Sequence, residues 1–317
     1  MTGPSVLACG LTTLDLVQTV DRLPGPDEKV VATGLLVSSG GPAANAAVTA
    51  TALGRPARLL SRIGTGSVGR LVADDLAGRG VAIVDLGAAG TDPAVSTVLV
   101  TRSTGQRAVV SVNATLRGQG PGAGSTATGT GTPTAGLVDE LLQGVLAVLV
   151  DGHHLDLAVP VAAAARAGGI LVLLDGGSWK PGLERLLAHV DVAVLSADFA
   201  LPGRTPATST LGEVAATGPT AVARSHGPEP IELWSHGTTL TVPVPHAEVV
   251  DTLGAGDVLH GALLAWLAGH PSTALDLLAE GLTVAAAVAG RSCAAAGARG
   301  WLDVPGAADE LSALVAR

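Results

Sequence analysis

The sequence predicts an α/β fold with a mainly parallel central sheet, for two reasons. First, apolar runs at residues 145–150, 170–174 and 190–195 alternate with Ala- and Leu-rich segments that are typical of helices. Continuously apolar strands separated by helices indicate a parallel sheet covered on both faces. Second, the 317 residues are 47% hydrophobic, which suffices for one large core. Residues 117–136, almost wholly Gly, Ser, Thr, Pro and Ala, are interpreted as a surface loop. We therefore predict a single domain over residues 1–317.

The composition favours small molecules as the binding partners of this protein. The net charge is −9 with only 18 Lys and Arg, which disfavours nucleic acid and anionic membrane surfaces, since both attract basic patches. The mean hydropathy of +0.48 comes from Ala, Val and Leu spread along the chain, and no apolar run is long enough to span a membrane. The first residues do not resemble a signal peptide, and Cys9 and Cys293 have no metal-ligand spacing. We therefore expect a cytoplasmic protein.

A small β-sheet is predicted beside the main one. Residues 29–37 resemble a strand, and residues 95–101 and 106–112 resemble a β-hairpin around a polar turn. We expect these three strands to form a small antiparallel sheet. Arg107 on the hairpin is a candidate substrate ligand, because such a sheet would lie beside the cleft. The predicted β lid comprises about residues 12–38 and 92–114.

A Gly-rich turn with a carboxylate at each end occupies residues 251–257, and an apolar helix-forming run follows it directly. The first amides of a helix lack intrahelical partners and the helix dipole is positive there, so the turn suits an anion such as phosphate. Beside a phosphate, Asp257 is suited to take a proton from an attacking hydroxyl. The same pattern fits a plain strand-to-helix turn in which Asp257 complements the helix dipole. His260, one helical turn later, faces the same way, although packing also accounts for it.

Polar residues after predicted strands complete a candidate cleft. A second helix start follows Gly40 and Gly41, and Asn45 lies one turn inside that helix. Asp15 lies just beyond the first predicted strand, and His153 follows the strand at 145–150. Ligands bind at the carboxyl ends of strands in α/β sheets. These side chains are therefore candidates for substrate binding.

A competing pattern lies at residues 64–69, which form a G-x-G-x-x-G between a predicted strand and a predicted helix. Asp85 follows about 20 positions later, as a dinucleotide-binding fingerprint requires. This pattern favours an NAD-dependent oxidoreductase. However, it lies in the third unit of the chain, and nothing downstream resembles a hydride-transfer site. The oxidoreductase is therefore the second hypothesis.

Together these motifs strongly resemble the ribokinase-like, or PfkB, family of ATP-dependent carbohydrate kinases, over nearly the whole chain. The turn at 251–257 resembles the C-terminal motif of that family, and residues 40–45 resemble its N-terminal motif. The resemblance implies a three-layer sandwich with a mainly parallel central sheet and a small β lid, with ATP and Mg²⁺ bound. It also implies that the turn at 64–69 does not bind NAD. The site residues it implies are Asp257 as the base, Gly254, Ala255 and Gly256 as the anion hole, and Asp15, Gly40, Gly41 and Asn45 as sugar ligands.

Two departures from the family pattern affect the nucleotide side. The Asn-x-x-Glu segment of the family, which helps organise magnesium and the phosphates, would fall at residues 196–199, where this chain has Ser196 and Asp198. Ketohexokinase-like members have a similar Ser-x-Asp pattern, so the resemblance favours that branch. The expected Gly-rich nucleotide loop is replaced at residues 223–228. The candidate nucleotide-binding residues are Ser196, Arg224, Gly227, Thr252, Gly254 and Gly256.

The resemblance also suggests a monovalent cation such as K⁺. Asp251 and Thr252 would bind it together with backbone carbonyls around Ala296 and Gly297, and capping the turn is their alternative role. A homodimer formed through the β lid is expected as well.

With the resemblance, the sequence predicts phosphorylation of a sugar hydroxyl by ATP, in the simplest case a primary hydroxyl of a ketose such as fructose. The replaced Asn-x-x-Glu segment leaves open a sugar-binding protein impaired in catalysis. An NAD-dependent oxidoreductase that uses residues 64–69 is the remaining alternative.

Overall fold

The computed structural model describes residues 3–104, 106–112, 131–271 and 274–316, and within them the chain forms two β-sheets. The strands are, in chain order, β1 (Ser5–Cys9), β2 (Thr13–Val20), β3 (Gly34–Gly40), β4 (Ala57–Ser61), β5 (Ala82–Asp85), β6 (Ala94–Thr101), β7 (Arg107–Ser111), β8 (Val145–Val150), β9 (Leu171–Gly176), β10 (Val192–Leu195), β11 (Ala221–His226), β12 (Glu229–Ser235) and β13 (Thr238–Val242).

The large sheet has the strand order β13-β12-β11-β10-β9-β8-β1-β4-β5. Neighbouring strands from β11 through to β5 run parallel, and β12 and β13 add an antiparallel edge. The strands predicted at 145–150, 170–174 and 190–195 are β8, β9 and β10. They lie in the middle of the sheet, which explains why they are apolar on both faces.

Helices cover both faces of the large sheet and give the predicted three-layer sandwich. Within β1, Val6 and Ala8 pack into a hydrophobic core on one face of the sheet, whereas Leu7 and Cys9 pack into a second core on the opposite face. The helices are α1 (Pro42–Ala52), α2 (Ser67–Gly78), α3 (Ala135–Leu142), α4 (Leu155–Ala167), α5 (Leu183–Leu187), α6 (Leu211–Ala215), α7 (Ala255–Gly269), α8 (Leu278–Ser292) and α9 (Ala307–Val315).

The small sheet differs from the sequence prediction in its strands and their directions. Its order is β3-β2-β6-β7, and β2 pairs antiparallel with β3 but parallel with β6. The sheet is therefore mixed, not antiparallel. The three strands predicted for this sheet do not include β2, whose first residues Thr13 and Asp15 are polar. The predicted strand at residues 29–37 is displaced, since β3 begins at Gly34.

Short connections attach the small sheet to the large one at the carboxyl end of β1. Residues 10–12 lead from β1 to β2, and Gly41 alone separates β3 from α1. Most of the predicted loop at residues 117–136 lies outside the described residues, and α3 begins at Ala135. Of the helices in the described part of the chain, none has the length and apolarity needed to cross a membrane.

Candidate active site

The predicted anion site lies at the start of α7. Gly254 caps this helix with a φ of 73°, and the Val258 amide donates to its carbonyl at 2.9 Å. The Ala255 amide already donates to the Thr252 carbonyl at 3.3 Å, whereas the Gly256 amide has no partner among the described residues. The space beside the Gly256 Cα is open. An anion at this turn would meet the Gly256 amide and the positive end of the helix dipole.

Asp257, in the first turn of α7, contacts Asn45, in the first turn of α1. The Asn45 Nδ2 donates to the Asp257 Oδ2 at 2.6 Å. Gly261 allows this approach, because a Cβ at that position would lie 2.6 Å from the Ala46 carbonyl oxygen. The two motifs that the sequence predicted separately therefore form one site.

The electrostatic surroundings make Asp257 a base that titrates near neutral pH. Its pKa is raised to about 7, chiefly because it is removed from water. Repulsion from Asp175 and Asp15 raises the pKa further, whereas the Asn45 hydrogen bond and the nearby His260 lower it. A general base works best when its pKa lies near the operating pH. Asp257 is therefore suited to accept a proton from a substrate hydroxyl.

Asp15 lies within β2, not beyond the end of β1 as the sequence analysis expected. It is placed opposite Ser38 of β3 and Ser96 of β6, and its carboxylate occupies the space that a Cβ on Gly40 would fill. The Thr13 Oγ1 donates to the Asp15 Oδ1 at 2.7 Å. Burial nevertheless raises the pKa of Asp15. The small sheet therefore carries one of the predicted sugar ligands.

Asp151, which the sequence analysis did not select, connects three parts of the site. Its Oδ2 accepts the amides of Leu11 at 2.7 Å and Ala43 at 3.2 Å, and its Oδ1 accepts the His153 amide at 2.9 Å. Helix α1 has no side-chain cap from its own N-cap residue, Gly41, so this carboxylate complements its N-terminus. The ring of His153 is partly enclosed, and burial lowers its pKa.

His260 and Asp175 form a buried pair beneath the anion turn. The His260 Nδ1 lies 2.7 Å from the Gly256 carbonyl oxygen and 3.2 Å from the Asp175 Oδ2, and its Nε2 lies 3.2 Å from the Val194 carbonyl oxygen. Burial raises the pKa of Asp175. His260 thus both packs in the core and contacts the backbone of the turn. Asp175 is not among the site residues that the sequence predicted.

Arg299 is a buried site residue that no sequence motif indicated. Its Nε donates to the Asn45 Oδ1 at 2.9 Å, and its Nη1 donates to the Ser39 Oγ at 2.7 Å and to the Asp75 Oδ2 at 3.1 Å. Burial lowers the pKa of Arg299 to about 10, and Asp75 opposes this shift. The guanidinium therefore joins α1, β3 and α2 next to the base.

The anion turn also contacts the small sheet and the loop after α8. The Arg107 Nη2, on β7, donates to the Thr252 Oγ1 at 2.6 Å. The two carboxylate oxygens of Asp251 accept the amides of Leu253 at 2.9 Å and Gly297 at 2.8 Å. Asp251 therefore caps the turn and fixes it to the loop around Gly297.

Comparisons with known proteins decide the family. A model described as pfkB family carbohydrate kinase matches residues 4–300. The chain belongs to the pfkB family of carbohydrate kinases. A ribokinase of Arabidopsis thaliana is 27% identical over 281 residues, which cover 82% of this chain and 69% of that protein. The carbohydrate kinase is accordingly an ATP-dependent phosphotransferase.

Solved structures agree with the fold of this kinase. The structure of Arabidopsis thaliana ribokinase complexed with ribose and ATP has a TM-score of 0.73 at 22% identity and covers 99% of each chain. The structure of phosphofructokinase-2 from Escherichia coli in complex with potassium has a TM-score of 0.69 at 18% identity and covers 100% of each chain. These similarities do not single out the ketohexokinase-like branch.

The residues predicted to bind the nucleotide differ from one another in their exposure and in their hydrogen-bond partners. The Ser196 Oγ donates to the Gly177 carbonyl at 2.6 Å, and Gly227 lies in the open turn between β11 and β12. Arg224 is buried and its guanidinium holds a loop of the protein itself, so its assignment as a nucleotide ligand stays a prediction. The acceptors of Arg224 are the carbonyls of Phe199, Pro206 and Ser209.

The Gly-rich turn at 64–69 does not offer the free amides that a dinucleotide would need. The Asp92 carboxylate accepts the amides of Val68 at 2.9 Å and Gly69 at 3.0 Å. The Asp85 carboxylate accepts the Gly64 amide at 2.9 Å and so does not face a ribose. The start of α2 is thus already complemented by the kinase's own carboxylates. The geometry disfavours the NAD-dependent alternative.

Proposed function

We propose that this kinase transfers the γ-phosphoryl group of ATP to a primary hydroxyl of a small sugar, with Asp257 as the base. The observation that carries the proposal is the position of Asp257. It lies in the first turn of α7, beside the open amide of Gly256, and accepts a hydrogen bond from Asn45 at 2.6 Å. A base and an anion site therefore lie in the first turn of α7, and a polar substrate ligand contacts the base from the first turn of α1.

In the proposed reaction, Asp257 accepts the proton of the sugar hydroxyl as the hydroxyl oxygen bonds to the γ-phosphorus. The bond from that phosphorus to the bridging oxygen breaks, and ADP leaves. The Gly256 amide and the dipole of α7 stabilise the negative charge of the transferring group. Phosphoryl transfer depends mainly on positioning and on such electrostatic stabilisation.

The sugar would lie between β2 and the start of α1. Asp15, Gly41 and Asn45 are the proposed ligands, because neutral polyols need paired donors and acceptors. The small sheet would act as a lid on the cleft, since Arg107 already reaches Thr252 from β7. Residues 1–317 would form one catalytic unit in which this lid covers the sugar.

Mg²⁺ is the proposed metal cofactor. In the described part of the chain, no three or more His, Cys, Asp or Glu side chains are grouped as a metal site. A Mg²⁺ held mainly by substrate phosphates does not need such a group, because Mg²⁺ retains waters and commonly takes only one or two carboxylates. When bound, the ion would neutralise charge on the phosphates. Asp198, exposed just after β10, is the side chain of the replaced Asn-x-x-Glu segment that remains available to it.

A monovalent cation such as K⁺ is proposed between the anion turn and the loop after α8. Asp251 joins these two segments through the Gly297 amide, and the Cys293 carbonyl accepts the amides of Val250 and Asp251. Backbone carbonyls and a carboxylate are suitable oxygen donors for such an ion. Activity in KCl compared with tetramethylammonium chloride tests this, and equal rates would exclude a required cation.

We further propose a homodimer formed through the small sheet. Its two edge strands expose apolar side chains, with Leu35 at 68% and Val110 at 74% of their maximal accessibility. Exposed apolar edge strands favour pairing with another chain. Light scattering should therefore show a dimer that Val110→Lys weakens. Leu240→Lys, on an edge strand of the large sheet, is the control and should leave the mass unchanged.

The identity of the sugar is proposed from the resemblance of Ser196 and Asp198 to ketohexokinase-like members, which favours a ketose such as fructose. Coupled ADP release over a panel of ketoses, aldoses and nucleosides tests both the activity and the acceptor. We expect turnover with a ketose to exceed that with ribose. The replaced Asn-x-x-Glu segment favours one alternative, a sugar-binding protein impaired in catalysis. Calorimetric sugar binding without ADP release across the panel would establish that alternative.

A further inference from the structure

The side-chain amide of Asn45 must be oriented correctly to assist Asp257. An amide can rotate by half a turn and exchange its donor and acceptor ends. In the structure the Nδ2 faces the Asp257 Oδ2 at 2.6 Å and the Oδ1 faces Arg299. In the opposite orientation the amide oxygen would face the carboxylate, and both groups would then be acceptors without a proton between them.

Arg299 permits only one of these orientations. A guanidinium carries donors and no acceptor, so the Nε must face an acceptor, and it donates to the Oδ1 of Asn45 at 2.9 Å. Arg299 itself is fixed by Ser39 at 2.7 Å and by Asp75 at 3.1 Å. Its side chain is only 7% exposed, so water does not readily replace these contacts.

On the basis of the function proposed above, we propose that Arg299 is a positioning residue that fixes the amide of Asn45 so that it donates to the catalytic base. Arg299 touches neither the transferred phosphoryl group nor the proton. It acts through Asn45, and Asp75 on α2 and Ser39 on β3 hold it in place.

The charged and titratable groups around the base define what should change when Arg299 is replaced. Asp257 faces Asp175 from β9, His260 from its own helix and Asp15 from β2, and Arg299 faces it from the segment after α8. Arg79, directly after α2, lies near Arg299. The Asn45 hydrogen bond lowers the pKa of Asp257. Without that bond the base should hold its proton to higher pH.

The first experiment compares Arg299→Met with the wild type. We expect kcat at neutral pH to fall about 10-fold, the KM for ATP to stay the same, and the acidic limb of the kcat profile to move up by about one pH unit. Arg291→Met is the control, because this exposed arginine near the same end of the chain pairs with Glu310. The control should change neither kcat at neutral pH nor the position of the acidic limb. An unchanged acidic limb in Arg299→Met would overturn the proposal.

A double-mutant cycle separates positioning from a direct effect of the positive charge. If Arg299 acts through the amide, Arg299→Met should cause no further shift of the acidic limb in an Asn45→Ala background. A shift of the same size in both backgrounds would show a direct charge effect and would contradict positioning through Asn45.

Carboxyl ¹³C NMR provides a readout that does not need catalysis. The carboxyl signal of Asp257 is assigned as the one that is lost in Asp257→Asn. The pKa obtained from its titration should show the same upward shift in Arg299→Met. If the wild type transfers no phosphoryl group, the proposed function fails while this titration still decides the role of Arg299.

If Arg299→Met does not fold, Asp75→Asn, which removes a charged partner of the guanidinium, should give a smaller shift in the same direction. No shift in Asp75→Asn would then count against the proposal.

Discussion

The side chains of Asn45 and Asp257 are joined by a hydrogen bond of 2.6 Å although 212 residues separate them in the chain. One residue lies in the proposed sugar-binding helix start and the other in the proposed phosphoryl-transfer helix start. The bond therefore connects the two substrate half-sites directly at the base. The protonation and orientation of Asp257 depend on both halves.

Replacement of Asp257 by Asn should remove the base and keep the shape of the site. We expect kcat to fall by about 10²–10⁴-fold, the range attributed to a general base. Sugar binding, measured by calorimetry, should remain within a few-fold of the wild type. Near-normal turnover of this variant would show that another group accepts the proton.

The same substitution should stabilise the folded protein at alkaline pH. The folded-state pKa of Asp257 is raised from 3.8 to about 7, so ionisation disfavours the folded state. The penalty is absent below the unfolded-state pKa and complete above pH 7. Asp257→Asn should therefore gain stability on the order of 2 kcal/mol at about pH 8. Thermal melts should show a higher Tm for the variant at about pH 8, and the difference should vanish at about pH 4.

The activity of the wild type should rise with pH through the titration of the base. Because the pKa of Asp257 is about 7, kcat should increase about 10-fold per pH unit well below this value and level off above it. A stopped assay of ADP formation between about pH 5 and pH 9 measures this profile. A flat profile down to about pH 5 would contradict a base with a raised pKa.

Removal of the Arg107 side chain should weaken closure of the small sheet over the cleft. Arg107→Ala loses the 2.6 Å hydrogen bond to Thr252, and exposed contacts of this kind contribute about 0.5–1 kcal/mol. We expect the KM for the sugar to rise about 2- to 5-fold. Arg102→Ala is the control, because Arg102 follows β6 on the same sheet but pairs with Asp21. Equal KM values for the two variants would argue against this role.

Asp151→Asn should destabilise the protein and weaken sugar binding together. Both oxygens of Asp151 accept backbone amides, so an NH₂ group in place of one oxygen would face another donor. The expected loss is about 1.5–3 kcal/mol, measured by urea unfolding. Asp276→Asn, on the exposed turn before α8, should be neutral. A neutral Asp151→Asn would mean that the start of α1 does not depend on this carboxylate.

Sequence patterns predicted the large sheet well because its central strands are continuously apolar. β8 has the predicted bounds, and β9 and β10 differ from the prediction by only a few residues. The strand β2 was missed because Thr13 and Asp15 resemble loop residues when their partners in β3 and β6 are unknown. Leu14 of β2 packs into a hydrophobic core, whereas Thr13 and Asp15 on the other face of the strand are joined by a hydrogen bond between their side chains.

The supporting residues of the site could not be predicted from local patterns. Arg299 lies 254 residues from Asn45 and 224 from Asp75, and an isolated Arg near the end of the chain has no periodicity or motif. Arg224 shows the opposite case. It occupies the position of a nucleotide loop, but the fold buries it among the carbonyls of a neighbouring loop. The spacing of residues in the sequence indicates where helices start, whereas the hydrogen-bond partners of a side chain depend on tertiary packing.

The short connections between the two sheets have a consequence for wasteful hydrolysis of ATP. Asp15 lies in β2, the first strand of the small sheet after the chain leaves β1, and Asn45 lies in the first turn of α1. A ligand that contacts both residues would therefore bind across the junction of the small sheet and the main body. We expect a molecule too small to reach both, water included, to leave the small sheet open over the cleft. Discrimination against water as an acceptor would then come from the attachment of the small sheet, without any group dedicated to excluding solvent.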